Sequence, residues 1–183
     1  MNIVATAIPD VRIVTPRRFE DHRGFFSETF NARAFAEAGL PSDFVQDNHS
    51  LSRPKGTVRG LHFQIPPFAQ AKLVRVVRGS ILDVAVDLRR ASATFGKSVA
   101  VVLTALEGNQ LFIPVGFAHG FCTLESDTEV LYKVTAPYSA ADDRGLLWND
   151  PDLAIDWPVP ADLAVLSEKD KNHPGLRNLP AYF

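Results

Sequence analysis

Six consecutive residues, Arg59-Gly60-Leu61-His62-Phe63-Gln64, bring a cation, an imidazole and an amide together. Side chains alternate along an extended chain, so Gly60, His62 and Gln64 fall on one face and Leu61, Phe63 and Ile65 on the other. The stretch predicts a strand whose polar row looks into a site while its apolar row packs. The plainer alternative is a surface strand with a solvated histidine. Two further residues could complete a reactive set. Lys72 opens a β-prone run and supplies an ammonium. Tyr132 shares a face with Val130 and Val134 in the alternating stretch 128–135 and should point inward, unless it is a core tyrosine with its hydroxyl bonded to backbone. An imidazole of ordinary pKa near ~6.5 is a workable general base at neutral pH. A phenol of pKa near ~10 stays protonated and can donate, and a cation in a partly buried cavity stabilises a developing oxyanion. Base, acid and oxyanion clamp together suit proton transfer at a carbon beside a carbonyl, the enolate being what the cation would hold.

The elements that must position these groups read as many short strands. A chain of 183 residues can build one domain with a sizeable core. Hydrophobic content of 46% and a net charge of -2 are ordinary for a globular protein and give no reason to expect nucleic acid or an anionic membrane. The one cysteine, Cys122, rules out an internal disulfide and fits a reducing compartment. No apolar run approaches the roughly 18 residues of a membrane span, and the N-terminus lacks a secretory pattern. A cytoplasmic, soluble protein is expected.

Val11 to Val14 is a short β-prone run, Asp21 to Gly24 a polar turn, and Phe25 to Phe30 a strand. Asn31 to Gly39 is the clearest helix, with Asn31 to cap it and Gly39 and Pro41 to end it. Phe44 to Ser50 runs from a strand into hydrogen-bonding side chains. Pro66-Pro67 breaks the central strand; 72–78, 81–88 and 99–106 are further strands, and 111–114 and 120–124 flank a Gly-Phe-Ala-His loop. Residues 138–160 read as a long ordered loop, and 161–170 include one short helix. Trp148 and Trp157 should anchor this C-terminal segment. Asp83, in an apolar strand, needs a buried partner, for which His119 is a candidate; His22, His49 and His173 carry only loop polarity. Short strands with Gly/Pro turns argue for an all-β sandwich or barrel.

Gly108-x5-Pro114-x-Gly116-x2-His119 resembles the second signature of the cupin superfamily, small antiparallel jelly-roll barrels that usually hold a metal through three histidines and a glutamate. In place of that family's His-x-His stands His62-Phe63-Gln64, and Lys72 stands where its glutamate would be, seven residues before Gly79. An ammonium cannot ligate and an amide is a poor transition-metal ligand, so the resemblance implies a mainly β, cupin-type jelly roll with a few short helices and a fixed positive charge in place of the metal.

Over roughly 21–170 the chain resembles the dTDP-4-dehydrorhamnose 3,5-epimerase family, through Asp21-His22-Arg23-Gly24-Phe25-Phe26, Phe44-Val45-Gln46-Asp47-Asn48-His49-Ser50, Arg59-Gly60-Leu61-His62, Lys72-Leu73-Val74-Arg75, Asp83-Val84-Ala85-Val86-Asp87, the Ile113 to Phe121 stretch, Leu131-Tyr132-Lys133, Trp148-Asn149-Asp150-Pro151 and Leu166-Ser167-Glu168-Lys169-Asp170. The resemblance implies a cofactor-free homodimer, each chain a single jelly-roll domain over 1–183 with 138–183 packed on the barrel, acting in dTDP-L-rhamnose synthesis. It implies that His62 removes the protons at C3 and C5, that Asp170 orients and charge-stabilises it, that Tyr132 returns a proton from the opposite ring face and that Lys72 holds the C4 oxygen. It further implies nucleotide-sugar contacts from Arg23, Glu28, Gln46, Asp47, Asn48, Arg59, His119, Asp143 and Lys169, with Tyr138 stacking on thymine. Phe63 and Asp143 depart from the tyrosine and glutamate usual there. A single-site epimerase, a metal-dependent cupin enzyme and a non-catalytic binding module are the competing readings; Tyr132 speaks against the first, Gln64 and Lys72 against the second, and the intact reactive set against the third.

Overall fold

The computed structural model describes residues 1–183. In chain order it forms β1 (Asn2–Ala5), β2 (Arg12–Thr15), β3 (Arg18–Asp21), β4 (Gly24–Ser27), α1 (Ala32–Glu37), β5 (Gln46–Ser52), β6 (Val58–Gln64), β7 (Lys72–Arg78), β8 (Ser80–Asp87), β9 (Ser98–Thr104), β10 (Gln110–Ile113), β11 (Phe117–Thr123), β12 (Thr128–Val134), β13 (Asp143–Gly145) and α2 (Glu168–Lys171), with a last 3₁₀ turn at Leu176–Asn178. A six-stranded sheet, β1-β2-β10-β7-β12-β5, faces a five-stranded one, β13-β6-β11-β8-β9, and every pairing in both is antiparallel. The mainly β jelly-roll architecture expected from the sequence is the one found.

Period-two alternation builds both layers. On β8, Ile81 and Ala85 enter the core between the sheets with Val74, Leu111, Phe121 and Val130. The intervening Val84 and Val86 face outward, where the C-terminal segment covers them together with Leu61 and Phe63. Fully burying a valine, isoleucine, leucine or phenylalanine side chain contributes on the order of 1.5–3 kcal/mol, and both faces of β8 and β11 are committed to apolar packing except where polar groups have a task. On the outer face of the six-stranded sheet, Phe35 from α1 packs on Val14, Leu73 and Phe112. The helix starts where expected: the Asn31 side chain accepts the Ala34 amide hydrogen at 3.0 Å.

The boundaries differ from expectation in three places. Phe117, Ala118 and His119 are in β11 rather than a loop, because β11 pairs with β8 from Phe117 onward. The second strand of the N-terminal pair stops at Ser27 and forms a separate ribbon with β3. The loop after Pro137 contains β13, which adds an edge to β6. Trp148 packs with Val58 and Cys122, and Trp157 donates its indole N–H to the Trp148 carbonyl at 2.8 Å, so both tryptophans anchor the C-terminal segment.

Candidate active site

His62 on β6 lies directly opposite His119 on β11. The two strands meet closely at a pair of glycines: a Cβ on Gly60, whose φ is +132, would stand 2.5 Å from the Gly120 Cα. Only glycine fits there. The pairing slips between His119 and Phe121, and a bulge of this kind re-aims a side chain. Arg59 therefore reaches the same cavity as His62, although the two stand three residues apart.

That cavity, about 460 Å³, opens between the sheets. Its lining includes Arg59 and His62 from β6, Lys72 from β7, His119 from β11, Tyr132 from β12, Ser50 from β5, and Ser167, Lys169 and Asp170 from the C-terminal segment. The four residues expected to do chemistry thus meet in one space. Asp170 arrives at the N-terminus of α2, its amide hydrogen held by the capping Ser167 hydroxyl at 3.1 Å. Its Oδ1 stands 2.6 Å from His62 Nε2. Burial raises the Asp170 carboxyl, but the His62 and Ser167 hydrogen bonds outweigh it and hold the group below the ordinary carboxylate value. With Nε2–H donated to that carboxylate, the imidazole lone pair lies on Nδ1.

Lys72 is buried, and its ammonium makes only a long 3.5 Å contact with the His62 carbonyl. Desolvation lowers its pKa to about 8, opposed by the Asp143 and Asp83 carboxylates. It is a cation with unused donors facing a cavity. The Tyr132 phenol is raised by burial, so it keeps its proton at neutral pH. His119 is bound to Asp83 at 2.7 Å, the partnership that the buried aspartate required. Burial pushes the His119 imidazole down, with Asp83 opposing.

The metal position of a cupin does not fit a divalent cation here. The Gln64 amide donates to the carbonyls of Phe68 and Pro137, at 2.7 and 3.1 Å, and its oxygen accepts from the Ser139 amide at 2.8 Å. Its polar atoms are occupied by the loops after β6 and β12, and Lys72 adds a like charge.

A rim continues outward from Lys169. Lys169 pairs with Asp143, whose Oδ2 accepts from the Tyr138 hydroxyl at 3.4 Å. The Tyr138 amide in turn donates to Gln46, which bonds Asn48. Tyr138 is 60% exposed, leaving its ring free to stack. Asp47 is not part of this rim: alternation turns it to the other face of β5, where it binds Lys133 at 2.9 Å. Arg23, at the ribbon turn, pairs with Asp21, and Glu28 is exposed beyond β4; neither lines the cavity.

The sequence profile described as dTDP-4-dehydrorhamnose 3,5-epimerase matches residues 5–178. The chain belongs to the dTDP-4-dehydrorhamnose 3,5-epimerase family. The protein of that name from Sinorhizobium fredii is 52% identical over 183 residues, covering 100% of this chain and 93% of its own. The crystal structure of the Bacillus anthracis protein of that name, with TDP and PPi bound, superposes with a TM-score of 0.92 at 48% identity, covering 95% of this chain and 98% of that one. A dTDP-6-deoxy-D-glucose-3,5-epimerase from Legionella pneumophila, in complex with dTDP-4-keto-L-rhamnose, gives 0.93 at 43% identity over 98% and 95%.

Within this family framework one of the two departures noted in the sequence lies apart from the reacting groups, and the other keeps its ion pair at the rim. Phe63 faces away from His62 and packs against Tyr182 and Phe183, at ring separations of 5.8 and 6.1 Å. Asp143 still reaches Lys169. Two residues that sequence reasoning passed over stand at the site. Ser50 lines the cavity with a buried, unpartnered hydroxyl. His173 packs edge-to-face on His62, rings 5.6 Å apart and planes at 84°. Its one sequence signal was its spacing three residues after Asp170.

Proposed function

We propose that the protein epimerises dTDP-4-dehydro-6-deoxy-D-glucose at C3 and C5, giving dTDP-4-dehydro-L-rhamnose for dTDP-L-rhamnose synthesis. Both carbons flank the C4 ketone, so each proton can leave with its electrons delocalised onto oxygen. His62 Nδ1 takes the proton, and Asp170 steadies the resulting imidazolium. The Lys72 ammonium meets the negative C4 oxygen in a cavity where little water competes. Tyr132 gives its proton to the same carbon from the opposite face, becoming a phenolate that solvent reprotonates, while His62 releases its proton to solvent. Two groups on two faces are what inversion requires; a single group would return the starting sugar. Inversion at one carbon would need the same two groups, so it is the family match over residues 5–178, rather than Tyr132, that favours the double reaction.

Outside the reacting centre, Arg59 and Lys169 supply positive charge for the diphosphate, and Gln46, Asn48 and Tyr138 suit the thymidine. Arg23 and Glu28 have no place in their own cavity, and the ribbon that carries Arg23 exposes Phe19, Phe25 and Phe26 by 52%, 59% and 71%. A homodimer in which the ribbon reaches the neighbouring cavity would use both facts. No helix of the chain is long and apolar enough to cross a membrane, and we place the enzyme in the cytoplasm, where its nucleotide-sugar substrate would be made.

The observation that carries this reading is the convergence of the His62–Asp170 pair, Lys72 and Tyr132 on one cavity. The test is solvent deuterium incorporation: incubation in D₂O should label both C3 and C5, and His62→Ala should abolish both. Protein that labels neither position would sink the proposal.

A further inference from the structure

The mechanism above leaves His173 without a part, yet few polar groups in the molecule are placed so tightly. Its side chain is 10% exposed and its Nε2 is buried with no hydrogen-bond partner. An unpaired buried nitrogen of this kind is costly, so its aim carries information. It points at Asp170 Oδ1, 3.5 Å away, on the same oxygen that His62 Nε2 touches at 2.6 Å. The ring is parked by a deliberate gap: Gly145 pairs in register with His62, and a Cβ at 145 would stand 2.1 Å from His173 Cε1.

We propose that His62, Asp170 and His173 form a binding site for a borderline-soft divalent cation, Zn²⁺ being the best fit, and that its occupancy reversibly switches the epimerase off. One ligand atom from each of the three residues lies within 4.8 Å of the others. Zinc bound at roughly 2.0–2.1 Å in a tetrahedron spaces its ligands by roughly 3.3 Å. The two spacings to Asp170 Oδ1, 2.6 and 3.5 Å, bracket that value, and the two histidine nitrogens lie within 4.8 Å of each other. Two imidazoles and a carboxylate are a ligand set that zinc takes, with a water to complete the tetrahedron. Burial lowers the His173 imidazole below its ordinary value. This site shares His62 with the barrel position that Lys72 and Gln64 close to metals, but takes its other two ligands, Asp170 and His173, from the C-terminal segment.

Inhibition follows from proton bookkeeping on one ring. Unliganded, His62 carries its proton on Nε2 and its lone pair on Nδ1. A metal on Nε2 displaces that proton, and a neutral imidazole must then carry it on Nδ1, where the base should act. The same cation draws the Asp170 charge away from the imidazolium that turnover needs. Mg²⁺, which demands an oxygen octahedron, should neither bind nor inhibit.

This inhibition rests on the epimerase reading, but the binding does not, and the two are measured separately. Co²⁺ titrated into the protein without sugar nucleotide should develop the visible absorption of a tetrahedral centre at one ion per chain, and Zn²⁺ should displace it. Epimerisation should fall in proportion to Zn²⁺ occupancy and recover with chelator. His173→Phe, which keeps an aromatic ring, and His173→Ala should turn over without added metal yet lose at least about tenfold in metal affinity. The proposal fails if neither ion binds, if both variants bind Zn²⁺ as tightly as the parent, or if zinc-loaded protein epimerises at full rate. Deuterium exchange absent from metal-free protein would instead overturn the function, leaving the Co²⁺ result to stand or fall alone.

Discussion

Two histidine–carboxylate pairs face each other across the β6–β11 ladder, with nearly the same contact: 2.6 Å for His62–Asp170 and 2.7 Å for His119–Asp83. Their surroundings separate them. The His119 and Asp83 side chains are 6% and 0% exposed, and their one bond ties β11 to β8. His62 is 32% exposed, with its far nitrogen free for the cavity. Asp83 is delivered by the same sheet that carries His119, whereas Asp170 comes from a segment 108 residues further along the chain. The same chemical pair is thus wall in one place and tool in the other. Access to the second ring nitrogen, rather than the bond itself, decides which.

The largest effect expected from breaking this contrast is His62→Ala, which should lower kcat by about a thousandfold, within the span measured for general bases, while leaving the melting temperature close to the parent. Lys72→Met comes next. It removes the oxyanion clamp, with an expected loss on the order of 10²–10³ in kcat, and it also removes a buried charge, so its thermal stability should match or exceed the parent's. Calorimetry beside steady-state kinetics checks both. A Lys72→Met protein that melts early would show the ammonium to be structural.

How much of this could be read from the chain depended on how local the cause was. The polar row of β6 follows from period-two alternation, and the inward Tyr132 from the valines on either side of it. The His119–Asp83 pair was anticipated because a carboxylate in an apolar strand needs a partner. Phe117 to His119 read as loop because Gly116 is punctuation, while the residues that make them a strand lie on β8. His173 was invisible for a similar reason: its position depends on the missing side chain of Gly145, on a different element. Arg23 and Glu28 are the extreme case, since nothing local in their segment tells that the ribbon lies away from the cavity.

Swapping the damage between the two pairs sharpens the comparison at smaller scale. Asp170→Asn should cost kcat on the order of a hundredfold with little loss of stability, because the amide oxygen can still accept from Nε2 but carries no charge. Asp83→Leu should do the reverse. It strands the buried His119 Nε2 at about 1–3 kcal/mol, seen as a melting temperature lower by roughly 2–4 °C per kcal/mol in a chain of this size, with kcat of the folded protein near the parent's. Should both variants lose the same quantity, the distinction between wall and tool would be wrong.

A gentler probe is pH. Burial lowers Lys72 to about 8, so the ammonium is complete below that value and vanishes above it. The rate should therefore decline on the alkaline side from about pH 8. Lys72→Arg, whatever its lower rate, should lack that decline because a guanidinium stays charged throughout. An alkaline limb that survives in Lys72→Arg would assign the titration to another group.

The smallest effect should come from Phe63→Tyr. Phe63 is the immediate neighbour of His62, yet alternation sends it through the sheet to Tyr182 and Phe183. Its ring touches the C-terminal cover and never the cavity, so kcat should stay within about twofold of the parent. The added hydroxyl enters an apolar cluster and should cost on the order of 1 kcal/mol unless it reaches water or a carbonyl. If kcat moved by tenfold or more while the melting curve stayed still, position 63 would be coupled to the reacting groups through the strand itself. The two faces of β6 could then no longer be treated as separate, which is the premise from which the polar row at Gly60, His62 and Gln64 was first read.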